Sequence, residues 1–533
     1  MTPMSCGEAT IALLAKYGVR KIFGIPGVHT LEFCRGLNKH VDHVQTKHEQ
    51  GAGYMAEGWA RATGEPGVAL VISGPGVTNA ATALAQSWCD SIPVLLISAE
   101  PPTETLGKGW GVLHEITEQR KVTEPITAFS ATALSAADVP DLIGKAFAVF
   151  ASERPRPVHI SIPIDVQEER VTEEWMPVAV PSRRKPEQAD INKAASMLRS
   201  AQTPFIFAGG GATDCGSDIV EIAEAIGATI GTSSAGKGIV SEAHPQSIGA
   251  AVMREQGREC LENADVVLAI GTELSETDTW VERLDFKGRI IRVDIDPSKI
   301  ADLYPAELGI IADAKSTTLA ISEALAGHLS NDRKAAEERV AAIKSETTRS
   351  LEPFEQRHVK LLNALDEIAP ADTVFAGDAC QVVYTGCFAM PRNNPRTWFF
   401  PAGYCTLGAS VPNAIGAKMA KPDSPVSVLV GDGGFMFTMP EILVAAEHGL
   451  PIPIIIWDNG ALKQIRDDMD ARGIERVAVE GLNPDFVALA KSCHCNAAQP
   501  SSLAEFKAEW LAALKADRPT IIVVNEDSDW LEA

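Results

Sequence analysis

The chain has few basic residues for its size: 47 lysines and arginines stand against 70 aspartates and glutamates, a formal net charge of −23 over 533 residues. Because no basic surface is evident in this balance, the sequence excludes a nucleic acid or an anionic membrane as the partner. It also lacks an uninterrupted apolar run of about 18 residues. At the N-terminus no basic stretch precedes an apolar run, so no signal peptide is predicted.

Clustered cysteines and low-complexity segments are missing as well. The ten cysteines are scattered, and the closest pair, Cys493 and Cys495, has no second pair at zinc-finger spacing. We therefore expect reduced thiols and a cytoplasmic location. What the chain does have is a 45% share of hydrophobic residues, which predicts globular domains with large cores.

Two segments share one order of elements: an apolar strand, a glycine-rich turn, a helix and a second apolar strand led by proline. They run from Gly67 to Glu100 and from Pro425 to Asp468. An Arg-Pro pair and an apolar strand follow each segment later in the chain, so one α/β domain is predicted to occur twice. Between them, strands alternate with helices in a third α/β region. The predicted fold class is α/β, with three doubly wound parallel-sheet domains at 1–170, 188–330 and 352–533.

The second of these segments carries polar residues at the ends of two predicted strands. Val426 to Val430 predicts a buried strand, residues 431–434 a tight turn, and Ile452 to Trp457 the next parallel strand. Asp432 and Asn459 follow these strands, at the edge where open α/β sheets bind ligands. Three glycines, Gly431, Gly433 and Gly434, allow a phosphate to approach the backbone closely. Carboxylate, amide and carbonyl oxygens together suit Mg²⁺ shared with a diphosphate.

A GDG motif followed 27 residues later by an asparagine resembles the diphosphate signature of thiamine diphosphate (ThDP) enzymes. The resemblance implies that Asp432, the Asn459 side chain and the Ala461 carbonyl hold Mg²⁺ against the diphosphate. Either motif alone is as well explained by an ordinary strand-to-helix turn and an ordinary loop.

Two further segments resemble the same family. HEQGAGYMAEGWAR is similar to the segment whose glutamate hydrogen-bonds N1′ of the cofactor's aminopyrimidine, which implies that role for Glu49. Such a carboxyl favours the imino tautomer, which supplies a base for the thiazolium carbon. In GYCTLGAS, the resemblance implies that Leu407 supports the bent cofactor and that the Cys405 carbonyl accepts from its 4′-amino group. By composition alone, Glu49 is also explained as a charge at a helix N-terminus.

The stretches FGIPGVHTLEF, SGPGVTNA and PVLLISAE resemble the acetolactate synthase and 2-oxo acid decarboxylase branch of the family. The chain departs from the synthases, which place a glutamine in an FQE-like stretch, and it lacks the paired histidines of pyruvate decarboxylases. His114 lies close to where both groups place a residue over the cofactor, and we expect it to transfer a proton. His29 is a second catalytic candidate, and a structural role is the alternative for both.

Within this branch, LGKGWGVLHE and ERPRPVHISIP are most similar to the 5-guanidino-2-oxopentanoate decarboxylases. The resemblance implies that Gln464, Ile465 and Asp468 line the substrate pocket. A carboxylate there would match a guanidinium in bidentate fashion. The alternative is that Asp467 and Asp468 face solvent.

The resemblance thus implies a Mg²⁺- and ThDP-dependent decarboxylase of a small 2-oxo acid. Its site would lie between subunits, with Glu49 from one and Asp432 from the other. That arrangement needs at least a homodimer, and a homotetramer is expected. Acetolactate synthase is one alternative. An FAD-dependent enzyme of the pyruvate oxidase type is another, because glycines at 209, 210, 211 and 216 suggest a nucleotide site although their register differs from the dinucleotide motif.

Overall fold

The computed structural model describes residues 3–330 and 332–532, so the predicted domain ends at residues 1 and 533 lie outside it. Three parallel sheets form the scaffold, and buried apolar clusters cover both faces of each. This arrangement confirms the predicted α/β class with three doubly wound domains. No helix among the described residues is both long and apolar enough to cross a membrane.

The first domain has six strands in one parallel sheet and a separate antiparallel pair. Its strands are β1 Met4–Ser5, β2 Lys21–Gly24, β3 Asp42–Gln45, β4 Gly67–Val71, β5 Val94–Glu100, β6 Phe129–Thr132, β7 Val158–Pro163 and β8 Arg170–Val171. Its helices are α1 Cys6–Lys16, α2 Leu31–Cys34, α3 Glu49–Thr63, α4 Pro75–Cys89, α5 Arg120–Thr123, α6 Asp138–Ser152 and α7 Ile164–Glu168. The sheet order is β3-β2-β4-β5-β7-β6, and β1 pairs with β8.

The central domain has five parallel strands in the order β10-β9-β11-β12-β13. The strands are β9 Phe205–Ala208, β10 Thr229–Thr232, β11 Val266–Ile270, β12 Arg289–Asp294 and β13 Leu308–Ile311. The helices are α8 Gln188–Arg199, α9 Gly216–Ile226, α10 Glu255–Glu262, α11 Glu276–Thr279, α12 Ala314–Leu325 and α13 Arg333–Arg349.

The third domain has six parallel strands in the order β15-β14-β16-β17-β19-β18. The strands are β14 Val374–Gly377, β15 Trp398–Phe399, β16 Val426–Gly431, β17 Pro453–Asp458, β18 Asn496–Ala498 and β19 Thr520–Asn525. The helices are α14 Pro353–Ile368, α15 Gln381–Ala389, α16 Ser410–Ala420, α17 Asp432–Thr438, α18 Ile442–Glu447, α19 Lys463–Ala471, α20 Phe486–Ser492 and α21 Leu503–Ala513.

The first and third six-stranded sheets have the same connectivity. Numbered along the chain within each sheet, the strands of both stand in the order 2-1-3-4-6-5. The predicted repetition of one α/β domain is therefore confirmed at the level of topology. In both sheets the order reverses between the first and third strands, which is where doubly wound sheets bind ligands.

The first and third domains pack against each other through α3 and α16. A Cβ atom added to Gly58 would lie 2.1 Å from the Asn413 carbonyl oxygen, and one added to Gly416 would lie 2.0 Å from that of Met55. Glycine is required at both crossings because no larger residue fits the space between the two backbones. Buried residues of both domains form one apolar cluster around this contact.

Candidate active site

Asp432 begins a helix directly at the end of a buried strand. Gly431 is the last residue of β16 and the N-cap of α17, with extended backbone angles, and Asp432 is the first helical residue. The prediction of a tight turn over residues 431–434 is therefore wrong. A carboxylate in the first turn is favoured by the helix dipole, and this makes a separate turn unnecessary.

Asn483 links the Asp432 carboxylate to the end of the neighbouring strand. Its amide donates to Asp432 Oδ2 at 2.7 Å and to Asp458 Oδ1 at 3.1 Å. Burial raises the pKa of Asp432, and the nearby Asp458 charge acts in the same direction, whereas the Asn483 hydrogen bond lowers it. Two carboxylates thus approach a common point at the carboxyl ends of β16 and β17. A cation at this point would relieve their repulsion.

The loop after β17 supplies further oxygen atoms. The Asn459 side-chain oxygen accepts from the Ala461 amide at 3.3 Å, so the two predicted metal ligands lie in one tight loop. Among the described residues no group of three or more His, Cys, Asp or Glu side chains is arranged to hold a metal ion. The predicted set is of another kind, with one carboxylate, one amide oxygen and one main-chain carbonyl. This all-oxygen set fits Mg²⁺.

Asp378 directly follows β14 and packs against the first turn of α17. It is fully buried, and its carboxylate accepts from the Gly408 amide at 3.0 Å and from the Ser410 hydroxyl at 2.8 Å. These bonds fix the turn between Leu407 and α16. An added Cβ on Gly434 would lie 2.8 Å from Asp378 Oδ1 and 3.6 Å from a Leu407 methyl carbon. A Leu407 methyl group therefore lies close to the start of α17.

The start of one helix in this crevice fits a diphosphate. The nine-residue helix α15 begins here, and its N-cap Cys380 makes no side-chain capping bond. Unsatisfied amides at a helix N-terminus favour an anion. Cys405, whose carbonyl was predicted to contact the cofactor, has a φ of +52°, a strained geometry typical of functional turns.

Glu49 is the first residue of α3, as predicted. It is buried, and one of its carboxylate oxygens accepts from the Asn79 amide at 2.9 Å. Glu441 of the third domain lies beside it, fully buried, and accepts from the Lys47 and His48 amides at 3.2 and 2.9 Å. A Cβ on Gly51 would collide with this carboxylate at 2.2 Å. The third domain therefore positions the start of the helix that carries Glu49.

His29 and His114 lie together in the first domain. Their rings meet edge to face with centroids 5.0 Å apart. His29 Nδ1 is hydrogen-bonded to the hydroxyl of Ser73, and both side chains are buried. Burial and the neighbouring His114 lower the pKa of His29. His114 has a φ of +62°, and its Nδ1 is buried without a partner among the described residues. A strained residue with an unused polar atom fits a chemical role.

Gln464, Ile465 and Asp468 all lie on α19, which buries none of its residues. Gln464 accepts from Gln381 at 3.1 Å and donates to Asp468 at 3.4 Å. Asp467 is paired with Lys463 at 2.8 Å. Within the described residues Asp468 makes no salt bridge, so its charge is available to a cationic ligand.

The glycines of the central domain are explained by close packing of two loops and not by nucleotide binding. The Gly209 amide donates to the Ile270 carbonyl at 2.9 Å, and the Gly211 amide to the Gly271 carbonyl at 3.0 Å. An added Cβ on Gly209 would lie 2.3 Å from Gly271 O. These glycines therefore allow two loops to pack together, and the amides of Gly209 and Gly211 are not free to bind phosphate. A cavity of about 410 Å³ next to them is lined by residues of all three domains.

Within one chain, the predicted site residues form two groups. Each group lies near the point where the strand order of its six-stranded sheet reverses. Glu49, His29 and His114 belong to the first domain, and Asp432, Asn459, Leu407 and their neighbours to the third. Sequence reasoning missed Asn483, Glu441, Ser73 and Asp378. Asp378 could have been found, because it follows an apolar strand as Asp432 does.

Comparison with known proteins agrees with this geometry. Models described as "Thiamine pyrophosphate enzyme, N-terminal TPP binding domain", "central domain" and "C-terminal TPP binding domain" match residues 4–123, 191–321 and 384–524. The chain belongs to the family of ThDP-dependent enzymes, as its sequence motifs predicted.

Several relatives match over nearly the whole chain. One, from Pseudomonas aeruginosa, is named "Probable 2-ketoarginine decarboxylase AruI" and is 45% identical over 523 residues, covering 97% of this chain and 93% of that protein. A "Probable acetolactate synthase large subunit" from Methanocaldococcus jannaschii is 31% identical over 549 residues, covering 98% and 92%. An acetolactate synthase isozyme 3 large subunit from Escherichia coli is 29% identical over 517 residues, covering 92% and 89%.

Proposed function

We propose that this protein is a Mg²⁺- and ThDP-dependent carboxy-lyase that decarboxylates a 2-oxo acid, with 5-guanidino-2-oxopentanoate (2-ketoarginine) as substrate and 4-guanidinobutanal and CO₂ as products. The observation that carries the proposal is the oxygen set at the ends of β16 and β17, where Asn483 holds Asp432 and Asp458 together beside Asn459. The identity with a relative named as a 2-ketoarginine decarboxylase supports the substrate.

In this proposal each group of residues has one task. Asp432, Asn459 and the Ala461 carbonyl hold Mg²⁺ and through it the diphosphate. Asp378 holds the turn that presents Leu407 and the Cys405 carbonyl. Bound ThDP supplies the electron sink for the electron pair released with CO₂. Glu49, shielded from water, shares a proton with N1′ of the aminopyrimidine.

His114 and His29 handle the proton that replaces CO₂ in the product. The lowered pKa of His29 keeps this imidazole neutral near pH 7, so it can accept a proton as well as pass one on. The Nδ1 of His114 makes no hydrogen bond among the described residues, so this nitrogen is not committed to another protein group. Their edge-to-face contact places the two rings side by side.

The charge on α19 supports a guanidino substrate. Asp468 has only a long contact with Gln464, whereas Asp467 is neutralised by Lys463. A guanidinium entering the site would pair with Asp468 and pack its methylenes on Ile465. An unpaired cation in a water-poor site would cost several kcal/mol, so a partner is required.

Exposed apolar side chains support a site shared between subunits. In the first domain Val28, Trp110 and Leu113 are exposed around the histidine pair, and in the third Met436, Phe437 and Leu462 are exposed around Asp432. Each patch would be covered if Glu49 of one chain faced Asp432 of another. A homodimer is therefore the minimal active unit, and a homotetramer is the expected assembly.

The test compares substrates and products. A panel of 2-oxo acids assayed for CO₂ should give a higher kcat/KM for 5-guanidino-2-oxopentanoate than for pyruvate. Asp468→Asn should lower kcat/KM for the guanidino substrate by the equivalent of about 2 to 5 kcal/mol if the pair of Asp468 and the guanidinium is desolvated. The kcat/KM for pyruvate should stay almost unchanged. Asp470→Asn is the matched control, because Asp470 lies on the same helix but pairs with Arg476 at 2.7 Å. Equal losses for both substrates would remove Asp468 from substrate recognition.

Acetolactate synthase is the second candidate, favoured by the identity with named synthases. In that case the enzyme would join two 2-oxo acids, and pyruvate would yield acetolactate instead of an aldehyde. An FAD-dependent oxidase of the pyruvate oxidase type is a further alternative. Flavin absorbance in the purified protein tests it directly.

A further inference from the structure

A fully buried polar network lies under the histidine pair of the first domain. Its centre is Gln119, which is 2% exposed. The Gln119 side-chain oxygen accepts from the Gly74 amide at 2.7 Å. Its side-chain nitrogen donates to the Ala99 carbonyl at 2.7 Å and approaches the Ser161 hydroxyl at 3.0 Å. Because Gly74 N–H can only donate and the Ala99 carbonyl can only accept, the orientation of this amide is fixed.

The network continues into the sheet and ends on a neutral histidine. Ser98 Oγ lies 3.1 Å from the Gln119 nitrogen and 2.8 Å from His159 Nε2. His159 Nδ1 in turn lies 2.7 Å from the Thr123 hydroxyl. Complete burial lowers the pKa of His159 to about 3, so it stays uncharged. Strands β5 and β7 therefore carry polar groups where a parallel sheet usually carries apolar ones.

The other end of the network lies against the proposed catalytic pair. Gly74, with a φ of +61°, follows Ser73, whose hydroxyl bonds His29. A Cβ on Gly74 would lie 2.5 Å from the His114 carbonyl oxygen, so the backbone of His114 packs directly on this glycine. Gln119 follows His114 by five residues in the chain. One side chain thus holds both the turn under His29 and the segment that carries His114.

We propose that Gln119 is a positioning residue for the reaction: by fixing the Ser73–Gly74 peptide from within the sheet, it keeps His29 and His114 in their edge-to-face arrangement. This inference rests on the proposed role of the histidine pair. The buried hydrogen bonds of Gln119 have no water to replace them, so losing them leaves unsatisfied groups and displaces the turn. A displacement of about 1 Å at reacting groups costs roughly 100-fold in rate.

The first test needs no activity. Hydrogen exchange, followed by mass spectrometry on cofactor-free protein, is compared for wild type, Gln119→Met and Gln167→Met. Gln167 is the matched control, since it is equally buried and donates to the Ile162 carbonyl at 2.7 Å. Peptides covering residues 70–78 and 110–118 should exchange at least about tenfold faster in Gln119→Met only. Unchanged exchange in these peptides overturns the positioning role, even if the protein proves to have another activity.

The second test is a double-mutant cycle on kcat. Gln119→Met should lower kcat by about 10- to 100-fold in the wild-type background and by less than about threefold when His114→Ala is already present, because groups acting as a unit are not additive. If Gln119→Met does not fold, Gln119→Asn takes its place in the cycle, because its shorter side chain keeps the amide but cannot reach both the Gly74 N–H and the Ala99 carbonyl. Equal factors in both backgrounds would show that Gln119 serves stability alone. A wild-type enzyme without decarboxylase activity would instead refute the proposed function, and the exchange result would still stand.

Discussion

Glu441 gives a prediction whose size follows from the structure. Its carboxylate is fully buried between the first and third domains. The pKa of Glu441 is raised from 4.5 to about 7, mainly by desolvation and in part by the neighbouring Glu49 charge, against the opposing effect of the Lys47 and His48 amides. The folded protein therefore binds this proton more tightly than the unfolded chain does.

The raised pKa of Glu441 determines how the stability of the folded protein depends on pH. The stability contributed by the protonated form is fully present below about pH 4.5 and is lost as pH rises through about 7. At about 1.4 kcal/mol for each pH unit between the two values, the loss amounts to about 3 kcal/mol. Glu441→Gln removes the titration but keeps an oxygen that can accept from both amides. The variant should therefore become more stable relative to the wild type as pH rises from 5 to 8.

Urea denaturation at fixed temperature, repeated across this pH range, measures the difference. The free energy of unfolding of Glu441→Gln relative to wild type should increase by about 2.5 kcal/mol between pH 5 and pH 8, since part of the total loss already falls below pH 5. Glu447→Gln is the control, because Glu447 contacts the same Lys47, at 2.6 Å, but is half exposed. If wild type and Glu441→Gln keep a constant difference over the whole range, Glu441 is ionised throughout and the reasoning fails.

Three further predictions concern the proposed site. Asp432→Ala or Asn459→Ala should abolish Mg²⁺-dependent ThDP binding, because each removes an oxygen from an ion that requires near-octahedral ligation; calorimetric titration decides, and unchanged affinity in both would refute the metal assignment. Glu49→Gln should bind ThDP but lose most activity, since an amide does not exchange the proton at N1′; hydrogen–deuterium exchange at cofactor C2, followed by NMR, should be slow, and a wild-type rate would remove Glu49 from the mechanism. His114→Ala should slow aldehyde formation by roughly 10²- to 10⁴-fold; single-turnover kinetics with no slowed step would return His114 to a structural role.

The sequence predicts most of the fold because its patterns are local. Apolar strands followed by glycine-rich segments mark β4 and β16, and the Arg-Pro pairs mark the approach to β7 and β19. These repeated patterns predicted a duplicated domain, and the identical strand orders agree. The error at residues 431–434 is local too: glycines normally indicate a turn, but an aspartate at the first helical position allowed the helix to start at once.

The parts of the site that the sequence did not predict depend on contacts between distant residues. Glu441 and Lys47 are separated by 394 positions, and Asn483 and Asp432 by 51. Nothing in the local pattern around Glu441 distinguishes it from a charge on a helix surface. Gln119 could not be predicted either, because its role depends on polar residues of β5 and β7 facing the same side of a sheet. Only the packing of the whole domain brings these groups together.

The glycine crossing of α3 and α16 joins the first and third domains into one cooperative unit, so the units that unfold together differ from the three domains. The first and third domains share one apolar cluster across this crossing, whereas the central domain has cores of its own. Heating should therefore melt the first and third domains in a single calorimetric transition, with the central domain free to melt in another. The ends of the chain, although separated by a complete domain in sequence, would behave as one thermodynamic body.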